Sequence, residues 1–279
     1  MRIIKDRLIE ECIYELCTYA CCVLPSDVIS ALEAAKCNEL PGSAAYSTLS
    51  DIIENAELAK QSMRPCCQDT GMTVVFADIG EEVFIEGSLN RAINEGVRKA
   101  YIEECFRKSV LDPITRKNTM DNTPAIIHIR FVEGDNLKLT VAPKGFGSEN
   151  MSKLYMLRPA DGIDSIINAV VNTVISAGAC SCPPVIVGVG IGGTSEIACE
   201  TAKRQLLRKI GSKADTPELR FIEYEATRRI NASGIGAMGL GGNITALAVH
   251  AGSYKTHIAG LPVAVNMQCH AARHAERIL

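Results

Sequence analysis

The stretch Val185-Ile186-Val187-Gly188-Val189-Gly190-Ile191-Gly192-Gly193 decides how the chain is read. β-Branched residues dominate it and no charge interrupts it, so Val185 to Ile191 reads as a buried strand. A helix from Ser195 to Ile210 follows. Working backwards, a helix from about Gly162 to Ala177 enters the strand through the loop Cys180-Ser181-Cys182-Pro183-Pro184. Working forwards, a helix over Glu218 to Ala232 and the glycine-rich Gly234 to Asn243 lead to an apolar run, Ile244 to Val249. Leu261 to Met267 reads as the last strand. Strands and helices alternating in this way specify an α/β (mixed α+β) architecture.

The N-terminal part, about 1–62, reads as helical. Ile4, Leu8, Cys12, Leu16 and Ala20 keep one apolar face from Ile3 to Cys21. Ser26 N-caps a second helix that buries Val28, Leu32 and Ala35, and a third runs from about Ala44 to Gln61. The character changes at Met63. Arg64 to Gly71 is a loop by its punctuation, Met72 to Ala77 is β-rich, and Ser88 to Val110 reads as one long helix. After a polar loop, Pro113 to Pro124, two strands (Ala125 to Val132 and Leu137 to Ala142) meet at Glu133-Gly134-Asp135-Asn136, which has the chemistry of a hairpin turn. With no repeat and no linker, a single domain over 1–279 is expected.

Composition excludes several function classes. Lys and Arg number 29 against 32 Asp and Glu, a net charge of −3, and aromatics make up 5 % with no Trp. That balance argues against nucleic acid or an anionic membrane surface as partner. No uninterrupted apolar stretch is long enough to span a bilayer, and Met1 to Arg7 lacks the apolar core of a secretory signal. A cytoplasmic protein is expected, in which the 12 cysteines are reduced thiols and any special one is a metal ligand or a nucleophile.

Gly188 to Gly193 fits G-x-G-x-x-G between a strand and a helix, the context of a dinucleotide fingerprint. The acidic residue expected about twenty positions on falls near Asp215, in a loop. A tight strand-to-helix turn is the better account, with a nicotinamide-dependent oxidoreductase as the alternative from another class.

The cysteines at 12, 17, 21, 22 and 37 lie in the helical part and read as small buried apolar residues. Cys67, Cys182 and Cys269 instead sit in or beside loops at strand edges. Zinc sites show short C-x-x-C pairs, and Cys180-x-Cys182 is too tight for one. Isolated loop thiolates with long gaps suit an iron–sulfur cluster better.

Four separated motifs then carry a resemblance. Cys67-Gln68-Asp69-Thr70-Gly71, Lys144-Gly145-Phe146-Gly147-Ser148-Glu149-Asn150, Cys182-Pro183-Pro184 with Val187-Gly188-Val189-Gly190, and Asn266-Met267-Gln268-Cys269-His270-Ala271-Ala272-Arg273 together resemble the class I fumarases. These are iron–sulfur hydro-lyases related to tartrate dehydratase. The resemblance runs from about residue 10 to the end, in the family's order.

It implies a [4Fe–4S] cluster held by Cys67, Cys182 and Cys269, with one iron left open to substrate. It selects Cys67 and Cys182 over their neighbours Cys66 and Cys180, which spacing alone leaves open. It further implies Asp69 as the proton donor to the departing hydroxyl and Gln68 beside it. Arg107, in Phe106-Arg107-Lys108-Ser109, corresponds to a substrate-carboxylate arginine. Gly147 corresponds to a loop glycine whose backbone approaches substrate, and His257 to a supporting histidine behind the cluster ligands. The ordinary alternatives are a solvated Arg107, a turn-forming Gly147 and a structural His257.

The sequence ends at Leu279, near the point where two-subunit members of the family split. The resemblance therefore implies an α subunit whose β subunit supplies a second domain and the catalytic base, as an α2β2 assembly. The expected reaction is reversible hydration of fumarate to L-malate. Tartrate dehydratase and mesaconate hydratase α subunits are the close alternatives, and a non-catalytic cluster-carrying module is the distant one.

Overall fold

A computed structural model of the protein describes residues 2–279. In chain order the first elements are β1 (Arg2–Lys5), α1 (Asp6–Cys22), α2 (Ser26–Cys37), α3 (Ala44–Ser62), β2 (Met72–Gly80), β3 (Val83–Glu86), α4 (Leu89–Glu103), β4 (Ile126–Val132) and β5 (Leu137–Lys144). They are followed by α5 (Phe146–Glu149), β6 (Lys153–Leu157), α6 (Gly162–Ala177), β7 (Val185–Gly192), α7 (Ser195–Gln205), α8 (Pro217–Asn231), β8 (Ala246–Tyr254), β9 (Leu261–Gln268) and β10 (Ala275–Ile278). The mixed α/β class is as the sequence specifies. The chain forms two compact units, one of Met1–Pro25, Asn55–Phe146 and Arg273–Leu279, the other of Ser26–Glu54 and Gly147–Ala272.

In the first unit the sheet order is β10-β5-β2-β4, with β2 parallel to β4 and antiparallel to β5, and a small parallel β1–β3 ladder stands apart. One face of α1 (Ile9, Cys12, Ile13, Leu16, Cys17 and Ala20) shares a core with Ile93, Val97 and Tyr101 of α4 and with Val75, Ala77, Leu139 and Val141 of the sheet. Cys12, Cys17, Cys21 and Cys22 lie in this core as small apolar residues, while Cys37 is exposed. Burial pushes the thiols up, to about 11 for Cys12 and Cys22 and about 12 for Cys21, so they stay protonated.

Three expectations are corrected here. Residues 2–5 form β1 and not the start of a helix, so the buried stripe of α1 starts at Ile9 and Leu8 is exposed. The helix from Ser88 stops at Glu103. Cys105 takes φ +55°, and Phe106 turns into the core, edge-on to Tyr101 with ring centroids 5.6 Å apart. Finally, β4 and β5 do not form a hairpin, because they pair with opposite edges of β2. That strand is buried along nearly its whole length and needs a neighbour on each side. Their connection arches over the end of β2, where the Asn136 carbonyl accepts the Gly80 N–H at 2.8 Å. A Cβ at Gly80 would stand 2.3 Å from the Gly134 carbonyl oxygen.

In the second unit the sheet order is β6-β9-β7-β8, and β7 is buried at every position. Its odd-numbered residues, Val185 to Ile191, join Ile167, Val170 and Val174 of α6 and Ile222, Ala226 and Ile230 of α8 in the core. Two of its glycines, Gly188 and Gly190, face α7. A Cβ at Gly188 would lie 2.0 Å from the Ala202 carbonyl oxygen, and one at Gly190 2.0 Å from that of Ala198. The glycines of the G-x-G-x-x-G pattern thus let a helix backbone press onto a strand. The segments Asp6–Cys37 and Pro159–Ser181 are long and apolar enough to cross a membrane, yet the buried residues of α1 and α6 lie in these cores.

Candidate functional site

The loop between α3 and β2 presents Cys67, Gln68 and Asp69. Its entry is held from both sides, by the Cys66 N–H donating to the Cys21 carbonyl at 3.1 Å and by Asn55 Nδ2 donating to the Cys66 carbonyl at 2.8 Å. Cys67 is half-buried and Gln68 exposed, with the Cys67 thiol 3.6 Å from Gln68 Oε1. Both oxygens of the Asp69 carboxyl are engaged. Oδ1 accepts the Gly71 N–H at 2.9 Å, and Oδ2 accepts the Phe146 N–H at 2.9 Å. The buried Arg273 donates from Nη2 to the Asp69 main-chain carbonyl at 2.7 Å. Asp69 is therefore locked in plane and position, between two backbone amides and a guanidinium.

Arg107 belongs to the same unit and lies on the irregular segment that follows α4, with its side chain exposed. Its carbonyl accepts the Thr70 hydroxyl at 2.9 Å, and the fully buried Tyr101 donates its hydroxyl to the Thr70 carbonyl at 2.6 Å. Gln68, Asp69 and Arg107 are thus brought onto neighbouring loops through Thr70.

In the second unit, Cys182 ends the 3-10 turn Gly178–Ser181 in a left-handed conformation (φ 52°, ψ 64°). That conformation is uncommon for a residue carrying a side chain. Its carbonyl accepts the His270 N–H at 3.3 Å and lies 3.0 Å from His270 Nδ1. The residue following Cys269 therefore docks on Cys182. Cys269 itself follows the end of β9, half-buried, with Gln268 Nε2 3.8 Å from its sulfur. The same corner takes in Gly147, whose Cβ position lies 3.7 Å from the Cys180 carbonyl oxygen. Glu149, two residues on, accepts Asn266 Nδ2 at 3.1 Å and pairs with Lys203.

His257 is not in this corner. It occupies the exposed turn that enters β9, its Nδ1 accepting the Ala259 N–H at 3.2 Å. Cys269 lies past the other end of that eight-residue strand, about 26 Å away at ~3.3 Å per residue. Twelve residues of separation look short in sequence, but an extended strand spends them on distance.

Two kinds of cysteine therefore coexist. Those of α1 are buried and protonated, whereas Cys67, Cys182 and Cys269 are half-buried on a loop, a strained turn and a strand end. A soft thiol set of that kind fits iron. Among the described residues, no group of three or more His, Cys, Asp and Glu lies close enough to hold a metal ion, so the fit rests on the chemistry of the donors.

Two supporting residues were not singled out from the sequence. Arg273 closes the Asn266–Arg273 motif, where nothing marks it as buried, and the structure buries it. Asn122 lies in a polar loop and is completely buried.

Comparison with known proteins gives a consistent picture. The family profile described as fumarate hydratase (Fumerase) matches residues 10–278. A protein of Methanocaldococcus jannaschii named as a putative L(+)-tartrate dehydratase subunit alpha is 43 % identical over 259 residues, covering 90 % of each chain. L(+)-Tartrate dehydratase subunits alpha of Escherichia coli K12 and Shigella sonnei are each 30 % identical over 256 residues, covering 90 % of this chain and 84 % of theirs.

Proposed function

Because the chain belongs to the fumarate hydratase (Fumerase) family, we propose that it is the α subunit of an iron–sulfur hydro-lyase acting on a four-carbon dicarboxylate. The observation that carries this reading is the match over residues 10–278, within which Cys67, Cys182 and Cys269, all half-buried, fall on loop, turn and strand-end positions. In this reading Cys67, Cys182 and Cys269 hold a [4Fe–4S] cluster, which supplies a Lewis-acidic iron for the hydroxyl that leaves or arrives.

The remaining work falls to the chain's own side chains. Arg107 presents an exposed guanidinium, whose planar fork matches a substrate carboxylate. Gln68 offers an amide donor beside it. Asp69 gives a proton to the departing hydroxyl and takes it back in the reverse direction. Its carboxyl plane is set beforehand by the Gly71 and Phe146 amides, and its main chain by Arg273, so little reorganisation is needed at the moment of reaction. Gly147, exposed and without a side chain, lets the substrate approach its backbone. His257, on the exposed turn that enters β9, stays in the reading only as the supporting histidine that the resemblance implies.

The names of the curated relatives, each a subunit alpha, support a partner subunit that completes the enzyme; an α2β2 assembly and a base at C3 from that partner are what the resemblance adds to the proposal. Fumarate and L-malate are the substrates we carry forward, from the Gly145–Asn150 and Cys269–Arg273 motifs. L(+)-Tartrate is the second reading, favoured by the names of the same relatives. The two substrates share both carboxylates and differ by a hydroxyl, so the choice lies in pocket groups outside those described. The test is the co-expressed α/β pair, purified without oxygen and assayed on malate, tartrate and mesaconate. Rapid loss of tartrate with no turnover of malate would replace the first substrate by the second. Turnover by this chain alone would remove the need for a β subunit.

A further inference from the structure

We propose that Asn122 and Thr70 are positioning residues that fix Arg107 relative to Gln68 and Asp69, and so set the affinity for the substrate carboxylate. The proposal rests on the reading above for the roles of those three residues. Its structural part stands on the contacts of one buried amide and one hydroxyl.

Asn122 is completely buried, in a left-handed conformation at φ +63°, within a segment that has no helix or strand around it. Burying an amide there is unfavourable unless its hydrogen bonds are made. All of those described go to two other loops. Oδ1 accepts the N–H groups of Ser109 at 2.7 Å and Val110 at 3.2 Å, and Nδ2 donates to the Gly71 carbonyl at 3.2 Å. The first pair lies just past Arg107, and the last just past Asp69. Thr70 makes the parallel bond from the other side, hydroxyl to Arg107 carbonyl at 2.9 Å. Two side chains therefore tie the arginine segment to the aspartate loop at four points.

The two loops do not depend on this tie equally. Asp69 keeps Phe146, Arg273 and its own turn to Gly71 when the tie is cut. Among the described residues, the arginine segment keeps Asn118 Nδ2 on the Lys108 carbonyl and the Thr119 N–H and hydroxyl on the Val110 carbonyl, together with the anchor of Phe106. Cutting the tie therefore releases Arg107 and leaves Asp69 in place. Substrate binding should weaken while the proton transfer persists.

The test uses the assembled α/β pair. Asn122→Asp retains the acceptor for Ser109 and Val110 but sets a carboxylate oxygen against the Gly71 carbonyl. Thr70→Val removes the hydroxyl and keeps the shape, and Thr70→Ser restores it. The expected result for N122D and T70V is a KM raised tenfold or more with kcat within threefold. T70S should return KM to within threefold of the parent. Amide exchange at Ser109 and Val110 should accelerate in N122D at unchanged iron content. If N122D does not fold, T70V against T70S carries the test. Unchanged KM in T70V, with an apparent kcat that falls only in proportion to lost folded protein, would overturn the proposal. A parent pair that turns over no dicarboxylate would instead overturn the functional reading, and the exchange rates would then decide whether the tie exists.

Discussion

Serine replacements at Cys17 and Cys67 should separate two properties that a general loss of cysteine would confound. Cys17 is fully buried in the α1 core, and burial holds its thiol well above the usual range. A serine there buries a hydroxyl. Left unpaired it would cost at least ~2 kcal/mol on transfer scales. Inside a helix, however, the hydroxyl can turn back to the carbonyl four residues earlier, which brings the expected cost to about 1–2 kcal/mol. For a chain of this size that lowers Tm by roughly 2–8 °C, and iron content should not change. Cys67 is half-exposed, so Cys67→Ser should shift the stability of the metal-free chain by no more than about 0.5 kcal/mol. Iron and turnover should both vanish, because a hard alkoxide replaces a soft thiolate. Cys182→Ser and Cys269→Ser should follow Cys67, whereas Cys66→Ser and Cys180→Ser keep the iron. The assays are iron per chain, visible thiolate-to-iron absorbance and thermal melts of the apo-protein. Loss of iron in Cys66→Ser with retention in Cys67→Ser would show the ligand register to be wrong. The roles given to Gln68 and Asp69 would fall with it.

Three further outcomes are expected. Gly190→Ala places a Cβ 2.0 Å from the Ala198 carbonyl oxygen, so α7 must back off β7 at a cost of about 3 kcal/mol, the upper end for overpacked cores; a urea midpoint unchanged from the parent would refute the packing account of this glycine. Burial, then Arg208, lowers the His250 pKa against the pull of Glu223, Gln205 and Asp27, so the unfolded chain binds more protons between that depressed value and about 6.5. Stability from His250 is then complete above about pH 6.5 and lost as pH falls through the folded value; melting curves of the parent and His250→Gln with the same pH dependence would count against it. Exposure of the α/β pair to air should abolish activity and release iron, with recovery on adding ferrous iron and thiol, since an iron without a cysteine ligand is the one most easily lost; activity that survives aeration and a chelator would argue against such an iron.

Much of the fold was legible because its signals are local. The periodicity of α6, the Ser26 start of α2 and the uninterrupted apolar run of β7 each need only their own residues, and each matches the structure closely. What was not legible depends on partners far along the chain. The turn chemistry of Glu133 to Asn136 is compatible with a hairpin, and nothing nearby announces that β2 will come between its two strands. The same holds for β1, whose four residues continue a helical pattern until Val83 to Glu86 offers an edge. The helix from Ser88 runs out where Phe106 finds the core, a tertiary event that the polar residues around it do not encode.

The candidate site divides along the same line. The cysteines of α1 could be set aside from sequence because helical spacing places them on a buried face, and their burial now explains why they remain thiols. Cys67, Cys182 and Cys269 stood out because they lie where regular structure ends, which is where a backbone can turn a thiol outward. The choice between Cys66 and Cys67 had no such basis. It came from the family register; in the structure the Cys66 backbone is stitched to Cys21 and Asn55, Cys67 is the first residue beyond that stitch, and both are half-buried. The supports of the site were the least legible part. Arg273 and Asn122 make their bonds to main-chain atoms of other loops, and a bond to a main-chain atom leaves no mark in the sequence of its partner. An invisible support of this kind is where a substitution far from the motifs should alter substrate binding, and that is why the Asn122 and Thr70 variants examine the site more closely than another change of a cysteine.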